Sequence, residues 1–120
     1  MIVYSPDVAV SDSDLVDLGA PEGLSGKVLE GTPRISARFD LNERGITAGI
    51  FEATRGKVEI TFPFTEHAMI LEGEVTITDA SGQAHTYRPG DSYLIRQGEV
   101  VLWDVRCERL RKSFFNITEA

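Results

Sequence analysis

The chain has 120 residues and a formal net charge of −7, and 42% of its residues are hydrophobic while 26% are charged. This length fits one domain with one core, and the composition is typical of a folded protein rather than a disordered one. The negative charge argues against a nucleic-acid-binding surface, because phosphate binding needs clustered Lys and Arg.

The cysteine content and the lack of long apolar segments narrow the protein classes further. Cys107 is the only cysteine, so an intrachain disulfide and a multi-thiolate metal site are excluded. No segment approaches the length of a membrane span, and no basic region precedes an apolar run among the first residues. We therefore expect a cytoplasmic protein without membrane contacts.

Residues 1–45 are loosely patterned. Pro21 and Pro33, together with several glycines, fall between short apolar pieces, and such residues mark turns. The pattern predicts an irregular N-terminal arm with short strands over residues 1–45, packed on a barrel core that residues 46–120 form. Both parts belong to one domain.

The chain after residue 45 alternates between apolar and polar side chains. Residues 57–62 and 74–78 show the period of two that is typical of strands with one buried face. Residues 79–82 predict a hairpin turn. Further strands are expected at 100–105 and about 110–117. Many short strands punctuated by Gly and Pro turns indicate an antiparallel all-β sandwich or barrel.

Two stretches of this region resemble the two motifs of the cupin superfamily. Glu66 stands six residues before Gly73, as the glutamate of the first motif does. Gly90-Asp91 is followed at the motif distance by Gly98. The resemblance implies a double-stranded β-helix, the cupin jelly-roll barrel, with an irregular N-terminal arm.

The histidines of the cupin motifs are missing. Counting back three residues from the motif glutamate places Ile60 and Phe62 in the two histidine positions, whereas counting back four places Glu59 and Thr61 there. We favour the first register because its residues belong to the apolar face. In the second motif the histidine position holds Val101. Apolar side chains cannot coordinate a transition metal, so we expect no metal and no cofactor.

The chain resembles more closely the cupins named for (S)-ureidoglycine aminohydrolase and ethanolamine utilisation. The resemblance extends over residues 28–117 and rests on the segments 30–33, 49–56 and 70–75. It implies hydrolase or lyase chemistry on a small nitrogenous acid. The named hydrolase has two cupin domains and binds manganese, whereas this chain has one domain and no histidine set.

Glu66 and Lys112 are the candidate catalytic residues. The cupin orientation implies that Glu66 points into the barrel, where it can serve as an acid/base or ligand-binding group or remain an ion-paired carboxylate. Lys112 lies between Leu110 and Phe114 on the apolar side of the last strand. A buried ammonium needs a partner, which either Glu66 or Glu52 can supply.

Four further residues are candidate ligand-binding groups. Trp103 and Tyr93 can form an aromatic wall or simply fill the core. Arg96, in the motif's proline position, can clamp a carboxylate or lie on the surface. Glu52 is the fourth candidate.

The sequence predicts a metal-histidine-lacking cupin that binds a small polar metabolite in the barrel. Whether it is an enzyme stays open, and the alternative is a noncatalytic binding or accessory module. We also expect a homodimer that pairs through its sheets, since Met69 and Leu71 beside His67 would form an apolar patch on a monomer.

Overall fold

Nine strands form the architecture of residues 1–119, the part of the chain that the computed structural model describes. The strands are β1 (Val16–Gly19), β2 (Gly26–Glu30), β3 (Ile35–Glu43), β4 (Ile46–Thr61), β5 (Thr65–Glu72), β6 (Val75–Thr78), β7 (Ala84–Tyr87), β8 (Ser92–Ile95) and β9 (Val100–Ile117). Short 3₁₀ turns lie at Asp12–Asp14 and Pro21–Leu24. Within the described residues, no helix is long and apolar enough to cross a membrane.

The two longest strands, β4 and β9, run antiparallel to each other and connect the two halves of the barrel. One half has the order β1-β3-β4-β9-β5-β8. The other half uses the opposite ends of β4 and β9, which pair with β2 and with the β6–β7 hairpin. The β4–β9 register shifts between Thr54 and Gly56. All ladders are antiparallel, and the predicted all-β fold is confirmed.

Two glycines permit the close backbone contacts of this barrel. A Cβ on Gly56, at the register shift, would lie 2.7 Å from the ring of Pro33. Gly73, which ends the first motif, has a φ of 79°, and a Cβ there would lie 2.2 Å from the carbonyl oxygen of Arg109. A larger residue at Gly73 would therefore be both strained and blocked.

The inward faces of the strands agree with the favoured register of the first motif. Val58 and Phe62 are 2% and 4% exposed, whereas Glu59 is exposed to solvent. Val101 is buried at the position of the second-motif histidine. The alternation after residue 45 therefore identified the core face correctly.

The structure differs from the sequence expectation at two boundaries. Residues 35–43 form a full-length ladder with β4 instead of belonging to an irregular arm. Ile35, Ala37, Phe39 and Leu41 alternate with polar residues along this segment, so the period of two that predicts a strand is present before residue 45 as well. The two strands expected at 100–105 and 110–117 are one continuous strand, β9. It pairs with β4 on both sides of the register shift.

Residues 1–14 cover part of the outer face that β5 and β9 form with β8, and they also contact β3. The Val10 carbonyl accepts a hydrogen bond from Arg111, and Tyr4 donates to Asp40 on β3. Leu71 lies beside residues 6–10 and is 8% exposed. The expectation that Met69 and Leu71 form an exposed apolar patch is therefore wrong, because Leu71 is buried and Met69 is only partly exposed. The exposed apolar residues of this face are Leu94, Phe115 and Ile117.

Candidate functional site

Three buried polar side chains meet inside the barrel: Glu66 of β5, Tyr93 of β8 and Lys112 of β9. They are 2%, 6% and 5% exposed. Lys112 Nζ lies 2.8 Å from both Glu66 Oε2 and the Tyr93 hydroxyl, and that hydroxyl donates to Glu66 Oε2 at 2.5 Å. We call these residues the interior cluster.

Strand register brings the interior cluster together. Glu66 stands directly opposite Asn116 of β9, and Tyr93 stands opposite Ala68, two residues further along β5. Because side chains alternate along a strand, residues 66 and 68 share the inward face. Only one orientation of the Asn116 amide satisfies its neighbours, and it directs the nitrogen to Glu66 Oε1 at 3.0 Å.

The cluster contains a neutral phenol and a cation that has not used all its donors. Burial, followed by the charge of Glu66 and the hydrogen bond to it, raises the pKa of Tyr93 well above its ordinary value, so the phenol stays protonated. An ammonium has three N–H donors, and two of them have oxygen partners here. Lys112 Nζ also lies 4.6 Å from the ring centroid of Trp103 and 4.7 Å from that of Phe51.

A cavity of about 270 Å³ adjoins the cluster. Glu66, Lys112 and Asn116 form its polar end, and most of the remaining wall is aliphatic or aromatic. A second cavity of about 60 Å³ shares Phe51 and Lys112 as walls and is bordered by Trp103. The apolar part of the larger wall is formed by Leu18, Leu24, Ala37, Phe39, Phe51, Ile60, Phe62, Pro63, Phe64 and Phe114. Such a cavity suits a small molecule with a mainly apolar body.

The structure brings four of the six predicted site residues together. Glu66, Tyr93 and Trp103 surround the ammonium group of Lys112, the fourth of these residues. The contact between Glu66 and Lys112 that the sequence predicts is present.

The other two predicted residues, Glu52 and Arg96, lie elsewhere. Glu52 is opposite Arg111 on the outer side of β4, and it accepts a hydrogen bond from Arg111 Nε at 2.8 Å. It cannot be the partner of Lys112, because neighbouring strand positions point to opposite faces. Arg96 is exposed in the turn after β8, where its backbone N–H donates to Glu99.

Sequence reasoning missed two residues of the site. Asn116 follows Lys112 and Phe114 at intervals of two on β9, so the alternation could have placed it inward. Phe51 stands opposite Lys112 in the β4–β9 ladder. Its position depends on the pairing register, which a single sequence does not reveal.

Comparison with known proteins identifies the family. The model of the EutQ-like cupin domain matches residues 42–114, more than half of the chain. The chain belongs to this cupin family. No curated protein sequence matches the chain.

Solved structures agree with the cupin fold. A EutQ protein from Clostridium difficile superposes with a TM-score of 0.65 at 18% identity, over 94% of this chain and 82% of that one. A putative ethanolamine utilization protein Q from Salmonella typhimurium gives 0.62 at 18% identity, with 72% of each chain covered. A protein of unknown function from Pseudomonas syringae gives 0.73 at 18% identity, over 85% of this chain and 43% of that one. At these identities the likeness establishes the fold alone.

The residues of this cupin do not fit the metal that the fold family commonly holds. Ile60, Phe62 and Val101 occupy the histidine positions, where they belong to the apolar core or pack against it. Among residues 1–119, no three His, Cys, Asp or Glu side chains converge as a metal site would require. Glu66 is the one motif ligand that remains, and its oxygens already accept hydrogen bonds from Tyr93, Lys112 and Asn116.

Proposed function

We propose that this cupin binds a small organic molecule inside the barrel, at the interior cluster, without a transition metal. The observation that carries the proposal is the position of the buried Glu66–Lys112 pair, which Tyr93 contacts, at one end of a cavity of about 270 Å³. Burying a charged pair is costly, and an apolar core of the same volume is often as stable or more so. A charged pair beside an open cavity is therefore better explained by a ligand than by stability.

The cluster is better equipped to bind than to transfer protons. Glu66 accepts two hydrogen bonds at Oε2 and one at Oε1, so both of its oxygens are already engaged by donors of the protein. Catalysis is the second candidate function. In it, Glu66 would accept a proton while Lys112 stabilises negative charge on a substrate oxygen. The third N–H of Lys112, which Glu66 and Tyr93 do not use, favours that role for the cation.

The expected activity on a ureidoglycine-like acid gains no support from the comparisons. The family model is EutQ-like, and none of the three structures named above is described as a ureidoglycine enzyme. Such an acid needs a cation for its carboxylate, and Lys112 is the one cation in the described walls of the two cavities. The expected polar metabolite would also meet a mainly apolar wall.

Saturation-transfer NMR with a chemically mixed set of small molecules tests the binding function. The set contains butanone, butyramide, butyrate, butylammonium and N-carbamoylglycine. The double variant Glu66→Gln/Lys112→Met removes both charges together, so neither is left buried alone. Lys27→Met is the matched control, because Lys27 is an exposed lysine of β2.

We expect at least one member of the set to bind wild type and the Lys27→Met protein and to lose binding to the double variant. A set without any binder would contradict the proposal. So would a ligand that binds the double variant as tightly as wild type.

We further propose that two chains pair through the outer face of β5, β8 and β9. Leu94, Phe115 and Ile117 are 65%, 44% and 43% exposed, and His67 stands between the first two in the ladders. A second copy would cover this face by a twofold contact. Light scattering should give twice the mass of one chain, and Leu94→Lys should reduce it to that of a single chain. A monomer at micromolar concentration would contradict the pairing.

A cytoplasmic location without nucleic-acid or membrane partners stays a prediction. The net charge of −7 supports the part that concerns nucleic acids. Cell fractionation, together with a DNA-binding assay at low salt, checks both parts.

A further inference from the structure

We infer that the ligand of the interior cavity is an uncharged molecule with an oxygen acceptor, such as a ketone, on an apolar body. This inference rests on the proposed function and specifies its ligand. The first observation is the unused donor of Lys112. Two of its three N–H groups reach Glu66 and Tyr93. The third has no oxygen or nitrogen acceptor among residues 1–119, so a ligand oxygen can accept from it without displacing a protein group.

The charge balance of the cavity excludes ionic ligands. Glu66 and Lys112 compensate each other, and no other described residue in the walls of the two cavities carries a charge. A ligand carboxylate would have to compete with Glu66 for Lys112, and one negative charge would stay buried without a partner. A ligand ammonium would compete with Lys112 for Glu66 in the same way. Uncompensated buried charge is strongly unfavourable.

The wall opposite the cluster determines the rest of the ligand. Phe39, Phe62, Phe64 and Phe114 present aromatic carbon to the larger cavity. Phe39 and Leu24 are 46% and 41% exposed, so this wall reaches the surface at the barrel rim. A ring or short hydrocarbon body packed here would bury apolar surface, while its oxygen lies at Lys112.

A series of six-membered rings tests the ligand class, because its members differ only in the polar group. The probes are cyclohexanone, cyclohexanecarboxylate, cyclohexylammonium and methylcyclohexane. Trp103 is the only tryptophan, and its ring lies 4.6 Å from Lys112 Nζ. The single indole N–H resonance in NMR therefore reports on the site.

We expect cyclohexanone to shift the indole resonance saturably and to bind at least about tenfold more tightly than the carboxylate or the ammonium probe. In Glu66→Gln/Lys112→Met, cyclohexanone should lose its advantage over methylcyclohexane. The Lys27→Met protein should behave as wild type. Tighter binding of either charged probe would overturn the inferred class and leave the proposed function standing.

Two further outcomes separate the two proposals. If butyrate, butylammonium or N-carbamoylglycine binds at the cluster but no uncharged compound of either series does, the inferred ligand class is overturned while the binding function stands. If no compound of either series binds, both are overturned.

Discussion

Arg111 and Lys112 are neighbours on β9, and they illustrate two different uses of a buried cation. Both are about 5% exposed, but strand alternation points Arg111 outward and Lys112 inward. Arg111 donates to Glu52, to the Val10 carbonyl and to Asp12. Lys112 donates to Glu66 and Tyr93 and faces a cavity.

The two cations differ in whether the protein itself supplies acceptors on every side of the charged group. Each nitrogen of the Arg111 guanidinium donates to the protein, and two of its three partners lie in residues 1–14, so this cation attaches the N-terminal segment to the barrel. Lys112 keeps one donor, and the space beside it is lined by carbon. Satisfied buried cations are structural, whereas a buried cation with an unused donor beside a cavity is a candidate binding group.

The largest expected effect is that of Lys112→Met. The substitution leaves the Glu66 carboxylate buried without its cation, which should lower the free energy of unfolding by about 3–5 kcal/mol. Glu66→Gln/Lys112→Met should recover most of this loss. Urea unfolding followed by the Trp103 signal measures both variants. If the double variant were as unstable as the single one, the buried pair would not be the cause.

Tyr93→Phe should have the next largest effect. It removes the phenol that donates to Glu66 and accepts from Lys112, at a cost of about 1–3 kcal/mol for the unpaired buried groups. The matched control is Tyr87→Phe, because Tyr87 is only half-buried and its ring packs 5.5 Å from that of Tyr93. Equal unfolding midpoints for the two variants would show that the phenol of Tyr93 is dispensable.

Arg111→Met should cost less stability than Lys112→Met. Its carboxylate partners, Glu52 and Asp12, are 16% and 78% exposed, so water can replace the lost donors, and we expect a loss of about 1 kcal/mol. The specific result should be faster amide hydrogen exchange in residues 1–14. A loss as large as that of Lys112→Met would contradict the distinction between the two cations.

The smallest effect is the pH dependence of the N-terminal segment. The hydrogen bond from Arg111, followed by the charges of Arg111 and Arg109, lowers the pKa of Asp12. A lowered folded-state pKa means that the contact stabilises above the unfolded pKa of Asp and is lost as pH falls through the folded value. Glu52 and Glu72 face the same arginines.

Amide exchange in residues 1–14, corrected for its intrinsic pH dependence, should therefore stay constant from neutral pH down to about pH 4 and accelerate below it. Asp12→Asn should show the faster exchange already at neutral pH. An unchanged exchange rate in Asp12→Asn would show that Asp12 does not hold the segment.

Local alternation was enough to predict much of the barrel and part of the site. The inward positions of Phe62, Glu66 and Lys112 follow from a period of two and from the motif glutamate. Pairing across strands was not predictable to the same degree. The positions of Glu52 and Arg96 away from the interior cluster could not be predicted, because they depend on which strand positions face each other and where a strand ends. The unused donor of Lys112 depends on side-chain geometry that no sequence pattern encodes.

A crystal structure of the protein soaked with cyclohexanone shows directly whether the interior cluster is a ligand site. We predict the ketone in the cavity beside Phe51, with its oxygen within hydrogen-bond distance of Lys112 Nζ and with the Glu66–Lys112–Tyr93 contacts retained. A cavity filled by the protein's own side chains, or a ketone bound only at the outer surface, would contradict the account.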